Sequence, residues 1–416
     1  MKTENATAKK PKPNPKKKKW MRTRHRVVTS ILRYTLGIYS RFAYHIKVDR
    51  FKEQEKRPYL ILFNHQTAFD QFFISMAFRQ PVYFIASEDI FSMGWVSRLI
   101  EWIAAPIPIK KQTTDLKATR ICMQVAKEGG TIALAPEGNR TYSGRTCYFN
   151  PAIVKMVKML KLPVAIFRIE GGYGIQPRWS DVVRKGRMRA YVKTVIEPED
   201  VKAMSNEELH ALLSRELWVD EANADHEYRH PHLAEYLERA MYVCPRCGLS
   251  EFESSGDVIA CKRCELQVRY RPDTSLQGIN CDFPFPHVAQ WYDYQCDFVR
   301  GLDLTAHTQE PLYRDEVAVL EVIPYRHKVP VAQAAQLRLY GDRMEVGPEE
   351  APLLCFPFAD TDMVTVLGKN KLNIYFGDKL YQINGSKRFN ALRHVNIFHH
   401  YLNCKEGAEH GEFLGL

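Results

Sequence analysis

The chain has 416 residues, of which 45% are hydrophobic and 26% charged, so it is expected to fold into two or three domains rather than to be disordered. Its net charge of +11 is concentrated at the N-terminus, because residues 1–26 hold eleven basic residues and one acid, a net charge of +10. The remainder is nearly neutral, which argues against a nucleic-acid-binding body. We predict a disordered basic tail, which is either attracted to an anionic membrane surface or is a solvated arm without a partner.

The first predicted element is a helix over residues 27–46. The sequence has no run of about 20 uninterrupted apolar residues, so a membrane-spanning helix is not expected. Residues 27–46 come closest but are interrupted by Arg33 and Arg41. Apolar side chains recur there at helical spacing: Ile31, Tyr34, Leu36, Ile38 and Phe42. Such a helix after a polybasic run is typical of one lying in the membrane interface, and the alternative is a helix docked on the protein's own core.

Strands and helices alternate from residue 58 to residue 200. The predicted strands cover residues 59–63, 82–86, 107–109, 131–134 and 164–169. The predicted helices cover residues 69–79, 93–104, 113–128 and 151–160. This alternation predicts an α/β domain with a largely parallel sheet flanked by helices. Because sites in such sheets form at the carboxyl ends of strands, chemistry is expected in the loops 64–70 and 135–146.

The first of these loops, residues 64–70, has the sequence NHQTAFD. A neutral histidine is suited to remove a proton from a hydroxyl group at physiological pH. A carboxylate beside it can fix the tautomer and stabilise the imidazolium that forms. The spacing of five lets Asp70 reach back to His65 across a loop that turns into a helix. The alternative is an Asp that caps the helix beside an unrelated His.

The second loop, residues 135–141, has the sequence APEGNRT. Gly138 allows a tight backbone turn. Arg140 offers a planar, permanently charged fork that suits phosphate. Glu137 is expected either to hold Arg140 in place or to bind a substrate hydroxyl. The alternative is a loop in which Glu137 and Arg140 form a purely structural pair.

The two loops together resemble the glycerophospholipid acyltransferase family, specifically the 1-acyl-glycerol-3-phosphate acyltransferases. Residues 64–70 match the family's N-H-x4-D motif, and residues 136–140 match its P-E-G-x-R motif. Residues 106–110 and 162–166 are looser matches to two further blocks. The resemblance covers roughly residues 27–200.

This resemblance implies that His65 is the general base and that Asp70 orients it. It also implies a set of residues that bind the glycerol-phosphate head: Asn64, Lys110, Glu137, Gly138 and Arg140. The donor would be acyl-CoA or acyl carrier protein, and the acceptor lysophosphatidate, giving phosphatidate at the cytoplasmic face of a membrane. Another lysolipid, glycerol 3-phosphate or a lipid amine are alternative acceptors. No catalytic metal is implied.

Four cysteines form two C-x2-C pairs separated by 13 residues: Cys244, Cys247, Cys261 and Cys264. The pattern resembles a zinc ribbon, in which four thiolates hold a structural zinc with no open coordination position. A redox or iron site is the alternative. The pairs and the lack of a signal peptide predict a reducing, cytoplasmic compartment. Zinc ribbons also occur in nucleic-acid-binding proteins, the rival function, although no nucleic-acid partner is expected because the basicity lies in the tail.

Residues 201–240 are polar and are predicted to be rich in helix. From about residue 314 the sequence pattern instead predicts a series of short strands. A helix is predicted at 286–300 and another at 388–402. The predicted strands cover residues 316–323, 335–340, 353–358, 361–367, 372–376 and 379–383. The order of elements resembles a pleckstrin-homology-type fold, which implies lipid-headgroup or protein binding, or else a packing domain without a ligand. The predicted division is a tail (1–26), an acyltransferase domain (27–240), a zinc ribbon (241–270), a helical linker (271–310) and a β-rich accessory domain (311–416).

Overall fold

The computed structural model describes residues 19–109, 116–222, 226–279, 281–323 and 327–406. Most of the predicted tail lies outside these residues. The first helix, α1 (Thr23–Tyr44), begins four residues before the predicted start and takes up the end of that tail. Among the described helices, none has both the length and the apolar character that crossing a membrane requires.

A mixed sheet forms the core of the N-terminal half. Its strands are β1 (Ile46–Val48), β2 (Leu60–Phe63), β3 (Val82–Ser87), β4 (Ile107–Ile109), β5 (Thr131–Leu134), β6 (Val164–Glu170) and β7 (Met188–Ile196). The spatial order is β1-β7-β6-β2-β5-β3-β4, and every neighbouring pair is parallel except β6 and β7. The predicted α/β architecture with a largely parallel sheet is therefore confirmed, although β1 and β7 were not predicted.

Helices cover this sheet on both faces. They are α2 (Asp70–Ala77), α3 (Trp95–Ala104), α4 (Leu116–Lys127), α5 (Ile153–Leu160), α6 (Gly172–Ile175), α7 (Pro198–Ala203) and α8 (Asn206–Leu217). All four residues of the central strand β2 are buried, as expected for a parallel strand covered on both faces. The prediction of a helix-rich stretch at 201–240 is right only up to residue 217, because among the described residues that follow, the next helix is a short 3-10 helix at Leu237–Arg239.

The cysteine-containing segment folds into short antiparallel strands. These are β8 (Val243–Cys244), β9 (Gly248–Leu249), β10 (Phe252–Ser255), β11 (Val258–Cys261), β12 (Gln267–Tyr270) and β13 (Leu276–Gly278). Strands β10 to β13 form one sheet, and β8 and β9 form a small hairpin that carries the first cysteine pair. The helix α9 (Val288–Arg300) follows, close to its predicted range.

The last part of the chain is an antiparallel sheet closed by a helix. The strands are β14 (Tyr313–Val322), β15 (Lys328–Leu339), β16 (Arg343–Val346), β17 (Leu354–Pro357), β18 (Met363–Leu367), β19 (Lys371–Phe376) and β20 (Lys379–Gly385), and the helix is α10 (Ala391–Glu406). The order is β17-β16-β15-β14-β20-β19-β18. Strand β16 was not predicted, and β15 begins seven residues before its predicted start because it pairs with β14 from Lys328 to Leu339. The pleckstrin-homology-type assignment stays a prediction.

One hydrophobic core joins the cysteine-containing segment, α9 and the C-terminal sheet. It includes side chains from all three, such as Cys261, Trp291 and Phe398, and it extends to Tyr142 and Trp179 of the N-terminal half. The boundaries predicted at residues 240, 270 and 310 stay predictions, but packing continues across each of them. The cysteine-containing segment therefore packs against α9, the C-terminal sheet and part of the N-terminal half.

Candidate active site

The two predicted loops meet because the strands before them are neighbours. Strands β2 and β5 pair in parallel, with Leu62 opposite Leu134. His65 and Glu137 each lie three residues beyond this pair, so both loops leave the same edge of the sheet side by side. The backbone N–H of Thr141 donates to the carbonyl of His65 over 3.2 Å, which joins the loops directly.

His65 and Asp70 form the expected pair. The imidazole Nδ1 lies 2.7 Å from Asp70 Oδ2. The Asp70 carboxylate also accepts from the backbone N–H of Gln66 and of Thr67, at 2.8 and 2.9 Å, and from the Thr67 hydroxyl at 2.7 Å. A carboxylate with three other donors acts as an acceptor toward Nδ1, so Nδ1 carries the proton and Nε2 keeps its lone pair.

His65 is the partly exposed member of this pair. Its side chain retains 26% exposure, whereas Asp70 is fully buried behind it. Burial lowers the pKa of His65 below its usual value of 6.5, despite the opposing effect of Asp70, and the positive charge of Arg140 lowers it further. The imidazole is therefore neutral at physiological pH, the state a general base requires.

Glu137 holds the two loops together. Its carboxylate accepts the backbone N–H of His65 over 2.8 Å and that of Cys147 over 2.7 Å. Burial raises the pKa of Glu137 to about 8, and the two N–H donors oppose that rise. No ion pair joins it to Arg140 within the described residues, so the expected Glu–Arg pair does not form. Its proposed contact with a substrate hydroxyl stays a prediction.

The side chain of Asn64 forms hydrogen bonds with the neighbouring strand β6. Its side-chain amide donates to the carbonyl of Ile169 and accepts from the N–H of the same residue, both over 2.8 Å. This double contact fixes the end of β2 to β6. Its predicted role in substrate binding is not tested by these contacts, which are structural.

Gly138 and Arg140 give the second loop open space and a positive charge. Gly138 has a φ of +70°, and a Cβ placed there would meet no atom within 4 Å. Arg140 is 9% exposed, and among the described residues its Nη1 has no hydrogen-bond partner. Burial and the nearby charge of Arg178 lower the pKa of Arg140 to about 10. A buried cation with an unpartnered nitrogen is suited to an anionic ligand. Lys110 lies outside the described residues.

Sequence reasoning missed several residues that shape this loop. Gln176 accepts the N–H of Ala68 over 3.1 Å. Arg178, which is 2% exposed, donates to the carbonyl of Arg140 over 2.8 Å. Tyr142 is fully buried and lies under the Arg178 guanidinium, 4.3 Å from its ring centre. Neither motif nor periodicity points to these residues, because their partners are distant in sequence.

The four predicted cysteines come together as a candidate metal centre. Their sulfur atoms all lie within 4.8 Å of one another, and among the described residues they form the one such group of possible metal ligands. Sγ of Cys244 and Cys264 are 3.5 Å apart, and those of Cys247 and Cys261 are 3.6 Å apart. A tetrahedral zinc with Zn–S bonds of about 2.3 Å requires sulfur separations of about 3.8 Å, so the quartet fits this ion.

One comparison with known proteins, a family model, covers β2, β5 and the two loops that follow them. Residues 45–170 match the family model Acyltransferase. The chain therefore contains an acyltransferase domain. No curated protein matches this sequence. One similar solved structure is the 1-acyl-sn-glycerophosphate (LPA) acyltransferase PlsC from Thermotoga maritima, with 21% identity over 47% of this chain and 80% of that chain and a TM-score of 0.38.

Proposed function

We propose that this acyltransferase domain transfers a fatty acyl group from a thioester, acyl-CoA or acyl carrier protein, to the hydroxyl of a lysophospholipid. Lysophosphatidate, giving phosphatidate, is the acceptor we favour. The observation that carries the proposal is the His65–Asp70 pair, which lies beside a buried Arg140 whose Nη1 is unpartnered among the described residues. A general base near a buried cation matches an acceptor that has a hydroxyl and a phosphate.

The proposed reaction uses only groups of this chain and its substrates. His65 Nε2 takes the proton of the acceptor hydroxyl while the oxygen attacks the thioester carbonyl carbon. The resulting imidazolium is stabilised by the Asp70 carboxylate at Nδ1. When the tetrahedral intermediate collapses, the C–S bond breaks and the imidazolium returns the proton to the thiolate. The products are the acylated lipid and a free thiol, and His65 is neutral again.

Arg140 provides the test of acceptor class. We expect Arg140→Gln to raise the KM for lysophosphatidate by about tenfold or more, because a hydrogen bond to a charged group is lost, and to leave the KM for the thioester unchanged. Purified protein would be assayed with lysophosphatidate, uncharged monoacylglycerol, glycerol 3-phosphate and other lysolipids. Equal use of monoacylglycerol and lysophosphatidate by the wild type would contradict the phosphate role, and the acceptor used fastest identifies the substrate.

We also propose that the enzyme is peripheral, at the cytoplasmic face of a membrane. Helix α1 is docked on the protein by part of its surface: His25 is buried with its Nδ1 3.1 Å from the Tyr83 hydroxyl, and Arg33 donates to the carbonyls of Ser75 and Phe78. Large apolar side chains of α1 and α3 are nevertheless exposed to solvent: Val27, Ile31, Ile38, Phe42, Trp95, Leu99 and Trp102. Phe42 is 78% and Trp95 74% exposed. An apolar surface of this kind next to a basic segment supports binding to an anionic bilayer.

Removing part of this apolar surface tests the membrane proposal. We expect the double variant Ile38→Ser, Phe42→Ser to weaken binding to phosphatidylserine-containing vesicles by about tenfold or more, since burying each side chain is worth about 1.5–3 kcal/mol. Co-sedimentation would measure the partition. Trp218→Ser is the matched control, because Trp218 is also half exposed but lies after α8. Equal losses in both variants, or no loss in the double variant, would contradict the proposal.

A further inference from the structure

Arg178 connects the active-site loop to the C-terminal sheet. Toward the loop, its Nη1 donates to the carbonyl of Arg140 over 2.8 Å and its Nη2 to Asn139 Oδ1 over 3.3 Å. Toward the sheet, its Nη2 donates to the carbonyl of Val366 over 3.1 Å and its Nε to that of Gly368 over 3.0 Å. One buried guanidinium thus bonds two segments, residues 139–140 and 366–368, that are more than 220 residues apart in sequence.

The sheet contacts the loop at the turn between β18 and β19, residues 366–370, which we call the β18–β19 turn. Besides its two bonds to Arg178, this turn makes a third bond to the loop. The Tyr142 hydroxyl donates to the main-chain carbonyl of Lys369 over 3.0 Å. The Lys369 ammonium lies 2.9 Å from Asp181 Oδ1, and Arg239 binds the same carboxylate at 2.8 Å. Three main-chain carbonyls of the turn therefore accept hydrogen bonds from side chains of the N-terminal half of the chain.

Arg178 itself is not a ligand-binding residue. All three of its nitrogens already donate to protein oxygens, and the residue is 2% exposed. No carboxylate forms an ion pair with it in the described part of the chain. Neutral oxygens accept all the hydrogen bonds of this buried charge. Losing any one of these acceptors would leave a buried donor unpaired and lower the stability of the protein. Arg178 therefore acts on a substrate only through the residues it holds, Asn139 and Arg140.

We propose that the C-terminal sheet is part of the acyltransferase site: the β18–β19 turn, acting through Arg178 and Tyr142, holds the Arg140 loop in the conformation that binds the acceptor's phosphate. The inference rests on the proposed function, because it assigns Arg140 to the acceptor. Arg178 and Tyr142 are positioning residues in this scheme. The C-terminal sheet is then required for acceptor binding even though it supplies no group to the reaction.

Two variants of the full-length protein test this inference. Arg178→Lys keeps the charge but loses the planar fork, and Tyr142→Phe removes only the hydroxyl that binds the turn. We expect each to raise the KM for lysophosphatidate by about tenfold while the KM for acyl-CoA stays within about twofold. Hydrogen–deuterium exchange should become faster in peptides covering residues 138–147 and stay unchanged in β10 to β13.

Tyr313→Phe is the matched control. Tyr313 is also buried, also lies under an arginine, with Arg393 3.8 Å from its ring centre, and also donates its hydroxyl to a main-chain carbonyl, that of Tyr242 over 3.2 Å. It lies away from the β18–β19 turn, so acceptor KM and exchange of the loop should match the wild type. An unchanged loop exchange in Arg178→Lys, or a rise in both KM values in all three variants, would overturn the inference.

The exchange measurement separates this inference from the proposed function. If the wild-type protein acylates no acceptor, the proposed function fails. Loop exchange then still decides whether the turn holds the Arg140 loop, because it needs no substrate. If the wild type is active and the variants show neither effect, the proposed function stands and the coupling is wrong.

Discussion

His65→Ala will lower kcat by about 100- to 10,000-fold, the usual contribution of a positioned general base. The variant removes the imidazole that would take the hydroxyl proton, and Asp70 keeps its bonds to Gln66 and Thr67, so the loop should stay folded. Initial rates at saturating donor and acceptor measure the loss, and circular dichroism checks the fold.

His232→Ala is the control for this variant. His232 also pairs with a carboxylate, at 2.8 Å from Glu235, but it is 52% exposed and lies outside the two loops. Its rate should equal that of the wild type. Near-normal turnover by His65→Ala would remove the assigned base. In NMR spectra of histidine-labelled protein, the signal that is absent from His65→Ala belongs to the His65 imidazole. In the wild type this signal should titrate below pH 6.5, because burial disfavours the charged form of the imidazole.

The second large effect is expected at the cysteine quartet. Cys261→Ser should reduce bound zinc from about one ion per chain to almost none, because four thiolates complete the tetrahedral site. We expect the free energy of unfolding to fall by roughly 5 kcal/mol or more, since structural zinc binding is itself folding energy. Elemental analysis of purified protein and thermal unfolding monitored in the near ultraviolet measure the two quantities.

Cys355→Ser is the matched control, because Cys355 is an exposed thiol of β17 outside the quartet. Its zinc content and unfolding midpoint should not change. Zinc retained in Cys261→Ser would place the ion elsewhere, and iron in place of zinc would select the alternative metal. Since the quartet shares its core with Tyr142 and Trp179, we also expect acyltransferase activity to fall when the metal is removed.

The sequence allowed the central strands and the His65–Asp70 pair to be predicted because both depend on local pattern. Strand β2 is a short, fully apolar run, and the five-residue spacing at 65–70 brings base and carboxylate together by itself. The meeting of the two loops followed from one rule, that parallel neighbours end at the same edge.

What could not be predicted depends on contacts between distant segments. Strand β7 mixes charged and apolar residues and becomes a strand by pairing with β6 and β1. One of the two roles expected for Glu137 was to hold Arg140, but two backbone N–H groups reach its carboxyl group instead. The partners of Arg178 lie 38 to 190 residues away, so no window of sequence contains the contact.

The start of α1 is tied to Glu128, whose carboxylate accepts the backbone N–H of Trp20 and of Met21, both over 2.9 Å. The Trp20 indole N–H also binds the carbonyl of Ala105, at the end of α3. The basic residues of the first 18 positions are therefore tethered within about 60 Å of this point, the full length of that chain. In the membrane binding proposed above, the attraction of these residues and the apolar contacts of α1 and α3 would act on one bilayer as linked binding events, so avidity should exceed either contribution alone.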